Sequence, residues 1–272
     1  MYQLIGDDFA TMYNDIAGAV VHQGDETSPR GMMTREILDA SFMLTDPRNG
    51  WAAGTGRGLV PAIACAEALQ LIAGESHPEL MVRIAPRFAD FRNGGVFLGA
   101  YGPPVGEQIV RVRNLLMRDP DTRQAIITIY DPARHSHAGV RDVPCTIALQ
   151  FTIRKDRLNL HVRMRSNDVW LGLPYDVFQF TQFQMAVAQD IDLDVGFYYH
   201  TATSMHAYEE NWRAIDELQA ADTPTDAPWR RRFCYRAFPR PRASALLRGE
   251  DISWMSDESG QWYAEKLEQY VS

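Results

Sequence analysis

The stretch from Thr146 to Met164, TIALQFTIRKDRLNLHVRM, decides the predicted fold of this chain. Apolar and polar residues alternate over 146–153 and again over 158–164, which is typical of half-buried strands. The polar segment 154–157 between them has the composition of a turn. The sequence therefore predicts a β-hairpin here.

Further predicted elements surround the hairpin. Helices are predicted at 59–73 (ended by Gly74), 110–117, 178–191 and 262–270, and strands at 125–130 and 195–205. The segment 1–50 has an irregular pattern, and 91–104 reads as a structured loop. Because strands and helices mix without a regular βαβ alternation, we predict an α+β fold with a single domain over residues 1–272.

The composition limits the class of function. The 272-residue chain is 46% hydrophobic and carries a net charge of −8. Duplex-binding proteins are usually basic, so this charge argues against a DNA partner. No apolar run approaches the roughly 20 residues that cross a membrane, and the N-terminus lacks the pattern of a secretory signal. We therefore expect a cytoplasmic protein with no membrane partner.

The cysteines Cys65, Cys145 and Cys234 are far apart and form no CxxC pair, which argues against a disulfide framework or a zinc site. Cys145 follows Asp142-Val143-Pro144 at the start of a predicted strand. It fits either a buried structural residue or a nucleophile, and a nucleophilic thiolate needs a cation nearby. Arg165 could supply that cation because the hairpin brings the two strand ends together.

Polar side chains cluster after the hairpin. Arg165-Ser166-Asn167-Asp168 is followed by Gly172-Leu173-Pro174-Tyr175-Asp176, which leads into a predicted helix. The alternative to a binding site is a solvated loop with Asp176 as the helix N-cap. His206 and Tyr208 share one face if the last strand continues through them, and a surface pair is the alternative. His135 and His137 have no evident third ligand, so no metal site is predicted.

Three stretches together resemble the thymidylate synthase family: DVPCTIALQF (142–151), RMRSNDVWLGLPYD (163–176) and HTATSMHAY (200–208). Upstream, Glu67 and the helix around it, Tyr101-Gly102 and DPDTRQAI (119–126) are similar to the glutamate helix, active-site tyrosine turn and phosphate-arginine strand of that family. The resemblance covers residues 25–212. It implies a mixed sheet packed with helices and a homodimer formed through the sheets.

The resemblance implies a role for each matching residue. Cys145 would add to C6 of a pyrimidine nucleoside monophosphate, Glu67 would organise water and proton transfers, and Tyr101 would belong to the catalytic group. The co-substrate would be 5,10-methylenetetrahydrofolate. The implied binding residues are Arg30, Arg165 and Ser166 for the 5′-phosphate, Arg123 for the phosphate in the partner subunit, His206 and Tyr208 for the sugar 3′-hydroxyl, Asp168 and Gly172 for nucleotide and folate, and Tyr175 for folate.

One departure from the family pattern predicts which pyrimidine base the substrate carries. The family carries an asparagine at the position of Asp176, and an amide can donate to O4 and accept from N3–H of uracil. A carboxylate accepts from the C4 amino group of cytosine and, when protonated, also donates to N3. An aspartate here resembles the bacteriophage deoxycytidylate hydroxymethylases, which add water instead of hydride. The sequence therefore predicts a 5-hydroxymethyl product from a cytidine monophosphate, with dCMP favoured.

Further departures concern the folate side and the phosphate. Arg92-Asn93-Gly94-Gly95 replaces much of a tryptophan-rich segment, and the end LEQYVS replaces a short apolar tail. A less sealed site would admit water, which favours the hydroxymethyl product. Gln124 stands where the family usually has a second arginine, and Thr146 replaces a common histidine.

Three alternatives remain open at this stage. The chain could hydroxymethylate CMP, as in nucleoside-antibiotic pathways, although Ser166 and Arg123 keep the residues of the deoxynucleotide family. It could be a thymidylate synthase that methylates dUMP, which Asp176 opposes. It could bind nucleotides or RNA without catalysis, which the retained Cys145 and Glu67 oppose.

Overall fold

One mixed β-sheet forms the framework of the chain. The computed structural model describes residues 2–52, 55–137, 139–221, 240–250 and 258–271, and within these ranges seven strands join a single sheet. The strands are β1 (Tyr2–Gly6), β2 (Asp25–Thr27), β3 (Thr34–Leu44), β4 (Ile126–Thr128), β5 (Thr146–Arg154), β6 (Arg157–Asp168) and β7 (Asp194–Tyr208). Their order is β1-β3-β7-β6-β5-β4, with β2 paired to β3. The pairs β1–β3 and β6–β7 are parallel and the others antiparallel, which confirms the α+β prediction.

The predicted hairpin is confirmed as β5 and β6. Lys155 and Asp156 connect them with φ angles of 53° and 56°, the left-handed geometry of a tight two-residue hairpin turn. Side chains on one face of β6 are fully buried, as the alternation predicted: Leu158, Leu160, Val162 and Met164. The strand continues past its predicted end to Asp168 and pairs with β7 there, so residues 165–168 are strand and not loop.

Helices pack against this sheet and against one another along the described part of the chain. They are α1 (Phe9–Gln23), α2 (Pro61–Ala73), α3 (Pro78–Ile84), α4 (Gly102–Arg118), α5 (Pro132–His135), α6 (Leu173–Asp190), α7 (Glu209–Ala220), α8 (Arg240–Leu247) and α9 (Glu258–Val271). Short 3-10 turns lie at Pro29–Gly31, Pro47–Asn49 and Pro86–Phe91.

The central helices were predicted well, with shifted ends. Helix α2 ends at Gly74, whose φ of 72° lets its N–H bond to two carbonyls of the last turn. Helix α6 begins at Leu173, so Asp176 lies inside its first turn and the N-cap alternative is wrong. Helix α4 begins at Gly102, so the predicted loop 91–104 ends earlier than expected.

The irregular pattern predicted for residues 1–50 is wrong, because this segment contains α1 and three strands. The start of α1 has a clear local signal: the Asp8 carboxylate accepts from the Thr11 N–H at 3.1 Å, as an N-cap. Strand β3 is harder to recognise, since it is interrupted at Asp39, where φ is 53°. It forms because β1 and β7 pair with it on both sides.

The C-terminal helices pack against α2 and α6. Helix α9 contains the predicted segment 262–270, and its buried Tyr263 donates a hydrogen bond to Gln182 Oε1 at 3.2 Å. The arginine cluster at 230–232 and Cys234 lie outside the described residues. In the described part of the chain, no helix combines the length and apolar character needed to cross a membrane.

Candidate active site

Cys145 lies at the point where the chain enters β5, half-buried between β5 and β6. The Ser166 hydroxyl donates to its Sγ at 3.6 Å, and the Arg165 Nη1 donates to Ser166 Oγ at 3.1 Å. The backbone N–H of Arg165 also donates to the Cys145 carbonyl at 2.8 Å. Extension of β6 through residue 166 therefore delivers a guanidinium and a hydroxyl to the thiol.

The Arg165 side chain holds the segment that precedes the cysteine. Its Nε donates to the Pro144 carbonyl at 3.0 Å and its Nη2 to the Val143 carbonyl at 2.9 Å. A guanidinium has five N–H donors, so the contacts to Val143, Pro144 and Ser166 leave capacity for an anionic ligand. Arg165 is exposed and can contact such a ligand while it holds the cysteine loop.

The charge environment of the Cys145 thiol is mixed. Burial raises its pKa, while the Arg165 charge and the Ser166 hydrogen bond lower it. The carboxylates of Asp176 and Asp168 raise the pKa further. A proton on Asp176 would remove one of these negative charges, so protonation there favours the Cys145 thiolate.

Two carboxyl groups from different helices, the buried Asp176 and the half-buried Glu67, share the cleft beside the thiol. Burial raises the pKa of Glu67 from 4.5 to about 8, and the Asp176 charge adds to the rise while Arg87 opposes it. Burial likewise raises the pKa of Asp176 from 3.8 to about 7, against the hydrogen bonds from Asn167 and Gln179. Both groups therefore hold protons near neutral pH, as groups that donate and accept protons in catalysis do.

These shifts predict a stability effect at Glu67. Its folded-state pKa is raised, so its contribution to stability is complete below pH 4.5 and is lost as the pH rises through about 8. Glu67→Gln removes this loss because an amide does not ionise. We expect the variant to exceed the wild type in free energy of unfolding by about 2 kcal/mol near pH 9, and to match it near pH 4.

Denaturant unfolding at a series of pH values measures this difference. Glu268→Gln, on the exposed surface of α9, is the matched control and should show no such divergence. Parallel stability curves for Glu67→Gln and the wild type across the whole range would contradict the assignment of a protonated Glu67.

Asp168 has one satisfied and one open carboxylate oxygen. Oδ1 accepts from the N–H groups of Trp170 at 2.8 Å and Leu171 at 3.0 Å. Oδ2 is buried and has no hydrogen-bond partner among the described residues. Arg57 supports this corner, since it donates to the Trp170 carbonyl and lies 4.0 Å over the Trp170 ring. An open, buried acceptor fits a ligand that presents N–H donors, as a pterin ring does.

His206 and Tyr208 share one face of β7, as predicted, because the strand continues through both. Their rings meet edge to face at 5.4 Å between centroids. His206 Nδ1 is buried and has no partner in the described part of the chain. The Tyr208 hydroxyl accepts from Arg30 Nη2 at 3.3 Å, so Arg30, which the resemblance assigns to the 5′-phosphate, lies beside the residues assigned to the sugar. Arg30 itself has a left-handed φ of 55°.

Tyr101 precedes α4 and lies in the same cleft. Burial raises its pKa well above the usual value, and it senses the charges of Asp176, Cys145 and Glu67. Its ring stacks on Phe180 at 5.8 Å. The next residue must be glycine, because a Cβ on Gly102 would lie 1.9 Å from the Glu75 carbonyl oxygen.

Gly172 and Tyr175 line the start of α6. A Cβ on Gly172 would lie 3.2 Å from Asp176 Oδ2 and 3.3 Å from Asn167 Nδ2, so the glycine leaves room for that hydrogen bond. Tyr175 is 5% exposed, and its hydroxyl accepts from the Val60 N–H at 3.0 Å. Tyr175 thus anchors the chain before α2.

The structure does not bring Arg123 to the Cys145 of the same chain. Arg123 precedes β4, which pairs antiparallel with β5 in the register Ile126↔Gln150. Cys145 lies at the opposite end of β5. Across the described ranges, no group of three or more His, Cys, Asp or Glu residues is placed to hold a metal ion. The His135 ring contacts the Asp131 N–H and the Leu98 carbonyl instead.

Sequence reasoning missed several residues that support the site. Asn167 and Gln179 bind the Asp176 carboxylate, His200 binds Asn167, and Arg57 backs Asp168. A histidine at an inward position of an apolar strand is one signal that could have indicated a buried polar contact. A glutamine three residues after Asp176 on the same helix is another.

A half-buried thiol, an arginine and two carboxyl groups that hold protons near neutral pH meet at one cleft of this mixed-sheet fold, and such a set fits an enzyme that transfers a group through a covalent intermediate. The sequence profile described as thymidylate synthase matches residues 11–230 of this chain. The chain therefore belongs to the thymidylate synthase family.

Similar proteins agree with this assignment. A deoxyuridylate hydroxymethyltransferase of Bacillus phage SP01 is 30% identical over 274 aligned positions, which cover 91% of this chain and 71% of that protein. One of Delftia phage PhiW-14 is 28% identical over 188 positions, 64% of this chain and 53% of that protein. A thymidylate synthase of Mycoplasma genitalium is 28% identical over 122 positions, 45% of this chain and 42% of that protein.

Family membership establishes the general reaction. The enzyme transfers a one-carbon unit to C5 of a pyrimidine nucleotide, and the co-substrate of the family is 5,10-methylenetetrahydrofolate. The buried, open oxygen of Asp168 fits this co-substrate because it offers an acceptor to pterin N–H groups.

Proposed function

We propose that this enzyme hydroxymethylates C5 of a cytidine monophosphate, with dCMP as the favoured substrate. The observation that carries the proposal is the Asp176 carboxyl group. It is 7% exposed, burial raises its pKa to about 7, and its charge acts on the Cys145 thiol. A carboxyl with this pKa can offer both a donor and an acceptor to the base.

Cytosine matches this pair of groups. Its C4 amino group donates to one carboxyl oxygen, and the proton on the other oxygen is directed to N3. Cytosine N3 is basic, so the proton can move to the ring as Cys145 adds to C6. Negative charge that develops on the ring is thereby neutralised by Asp176, which is a contribution of general acid catalysis.

The hydroxymethyl product is supported by two observations. The relatives from phages SP01 and PhiW-14 are named as hydroxymethyltransferases. The segment 92–95, where the sequence departs from the family pattern on the folate side, forms a short turn that the Asn93–Val96 bridge closes. Gly94 and Gly95 have positive φ in this turn, and the Val96 side chain is 51% exposed. Such a segment adds little apolar cover against water.

A residue of this chain can be assigned to each step of the proposed hydroxymethylation. The Cys145 thiolate adds to C6, with Arg165 and Ser166 beside it to stabilise its charge. C5 attacks the methylene of bound methylenetetrahydrofolate, and departure of tetrahydrofolate with loss of the C5 proton leaves an exocyclic methylene. The carboxylate form of Glu67, a minor form near neutral pH because its pKa is about 8, accepts the C5 proton through water, and a second water adds to the methylene to give the hydroxymethyl group. Elimination of Cys145 releases the nucleotide.

We further propose that the whole chain, residues 1–272, is one catalytic domain that acts as a homodimer through the sheet. The face of the sheet opposite the helices carries exposed apolar side chains: Leu38, Ile126, Ile147 and Phe197. Arg123 lies far from the Cys145 of its own chain, so a two-fold partner is the way for it to reach a nucleotide phosphate.

Complementation tests the shared arginine. An Arg123→Ala protein and a Cys145→Ala protein, each weakly active or inactive alone, should recover activity when unfolded together and refolded as an equal mixture. Half of the dimers would then be mixed, and each mixed dimer would hold one intact site, which gives about a quarter of the wild-type activity. If the refolded mixture contains mixed dimers but recovers no activity, then Arg123 does not act in the active site of the partner subunit.

Tritium release tests the proposed substrate and product. The enzyme and methylenetetrahydrofolate would be incubated with 5-tritiated dCMP, CMP or dUMP, and each product would be identified by mass spectrometry. We expect release from dCMP with a 5-hydroxymethyl product, and the rate with CMP decides the sugar preference. Release from dUMP alone, or a 5-methyl product, would refute the proposal.

One other substrate has a specific observation in its favour. The named substrate of the two phage relatives is deoxyuridylate, and a protonated Asp176 could donate to O4 of uracil and accept from N3–H. The second candidate is therefore hydroxymethylation of dUMP, and the same tritium assay separates it from the first.

A further inference from the structure

A line of buried hydrogen bonds runs from the sheet to Asp176. The Tyr198 hydroxyl lies 2.8 Å from His200 Nδ1, and His200 Nε2 lies 2.9 Å from Asn167 Oδ1. Asn167 Nδ2 donates to Asp176 Oδ2 at 2.8 Å, and Gln179 Nε2 donates to Asp176 Oδ1 at 3.1 Å. Tyr198 and His200 are fully buried, Asn167 is 2% exposed and Gln179 is 5% exposed. We call Tyr198, His200 and Asn167 the relay.

The direction of these hydrogen bonds is fixed along the relay. Burial lowers the pKa of His200 to about 3, so its ring is neutral and has one donor and one acceptor nitrogen. The Asn167 carbonyl oxygen needs a donor, so the proton lies on Nε2 and the Tyr198 hydroxyl donates to Nδ1. The ring is held in place by Phe42, which stacks on it at 4.8 Å with 9° between the planes.

This direction decides where a proton can lie on Asp176. Both carboxylate oxygens receive an N–H donor from the protein side, at Asn167 and Gln179. A proton on Asp176 therefore has its place on the cleft side, where it faces the base. If the Asn167 amide turned over, its carbonyl oxygen would attract that proton inward, and the base would meet two acceptors.

We propose that Tyr198, His200 and Asn167 are positioning residues that determine base specificity, because they keep the donor and the acceptor of Asp176 directed at the pyrimidine. The inference rests on the proposed role of Asp176 in base recognition. A base with an amino group at C4 and a lone pair at N3 fits this arrangement without any change in the relay.

The test compares three variants in steady-state kinetics with dCMP and dUMP over a range of pH. His200→Phe keeps a flat ring and removes both hydrogen bonds. His200→Gln keeps a donor within reach of Asn167 and an acceptor for Tyr198. Phe42→Leu is the matched control, because it loosens the packing of the same histidine without removing a hydrogen bond.

We expect His200→Phe to lower kcat/KM for the preferred nucleotide about 10- to 100-fold and to reduce the preference between the two bases at least about 5-fold. The pH dependence of kcat/KM should also shift, while His200→Gln restores most of both properties and Phe42→Leu keeps the base preference. The other titratable groups that sense the Asp176 charge or act on it are Glu67, Tyr101, Cys145, Asp168 and Tyr198. They are unchanged in His200→Phe, His200→Gln and Phe42→Leu.

The outcomes separate the two proposals. A wild-type enzyme that prefers dUMP would reject the proposed substrate, yet His200→Phe should still change the base preference if the relay acts as inferred. The inference would be overturned if His200→Phe lowered kcat/KM equally for both nucleotides, left its pH dependence unchanged, and behaved like Phe42→Leu. That result would show that His200 has a purely structural role.

Discussion

Replacement of Cys145 by alanine is expected to abolish turnover while the protein still binds its nucleotide. The thiol is the only nucleophilic atom that Ser166 and Arg165 support in the described part of the cleft, and no neighbouring group can replace covalent addition to C6. We expect tritium release to fall by at least about 10³-fold. Nucleotide affinity, measured by calorimetry, should change by less than about 10-fold, because the phosphate and sugar contacts remain.

Cys65→Ala is the matched control for Cys145→Ala. Cys65 is fully buried in α2, and burial raises the pKa of its thiol well above the usual range. Its loss should lower stability through a small cavity but leave tritium release close to that of the wild type. Substantial turnover in a folded Cys145→Ala protein would show that Cys145 takes no part in the mechanism. If the variant lost both turnover and nucleotide binding, Cys145→Ser would separate a role in binding from a role in catalysis.

Asp176→Asn is expected to exchange the preferred base. An amide has no proton that it can transfer to N3 of cytosine as Cys145 adds to C6, and in the orientation that suits uracil its NH2 group meets the C4 amino group of cytosine, a donor against a donor. It can accept from N3–H of uracil and donate to O4. Gln179 can turn its own amide to accept from the new N–H group. We therefore expect kcat/KM for dCMP to fall by about 10²- to 10⁴-fold and dUMP to become the better substrate.

Competition between the two nucleotides in one reaction measures this exchange directly. Asp156→Asn, in the exposed turn between β5 and β6, is a matched carboxyl-to-amide control that should keep the wild-type preference. If Asp176→Asn still favours dCMP over dUMP, then Asp176 does not determine which base is bound, and the inference about the relay fails, while the substrate itself is decided by the tritium assay on the wild-type enzyme.

The sequence alone predicted strands β4 to β7 and helix α2, because these depend on local pattern. Alternation over 146–153 and 158–164 indicates two strands whose polar connection can only be a turn, and the structure confirms the hairpin. The apolar run of α2 and its terminal Gly74 likewise required no tertiary information. Cys145 and Arg165 were expected to meet through the hairpin, and Arg165 does hold the segment before Cys145.

Other features depended on contacts between distant segments. Strand β3 contains polar residues and a left-handed Asp39, so only its pairing with β1 and β7 makes it a central strand. The polar residues 165–168 join β6 because β7 supplies hydrogen bonds to them. Neither effect has a signal within a short window of sequence.

The ionisation of the site was also decided by tertiary structure. The sequence shows that residue 176 is an aspartate and that it departs from the family pattern. It does not show that burial raises the pKa of this carboxyl to about 7, or that Asn167 and Gln179 donate to it. A side chain has a base specificity only when its proton has a defined place, and that place depends on desolvation and on donors from β6 and α6 that folding brings together.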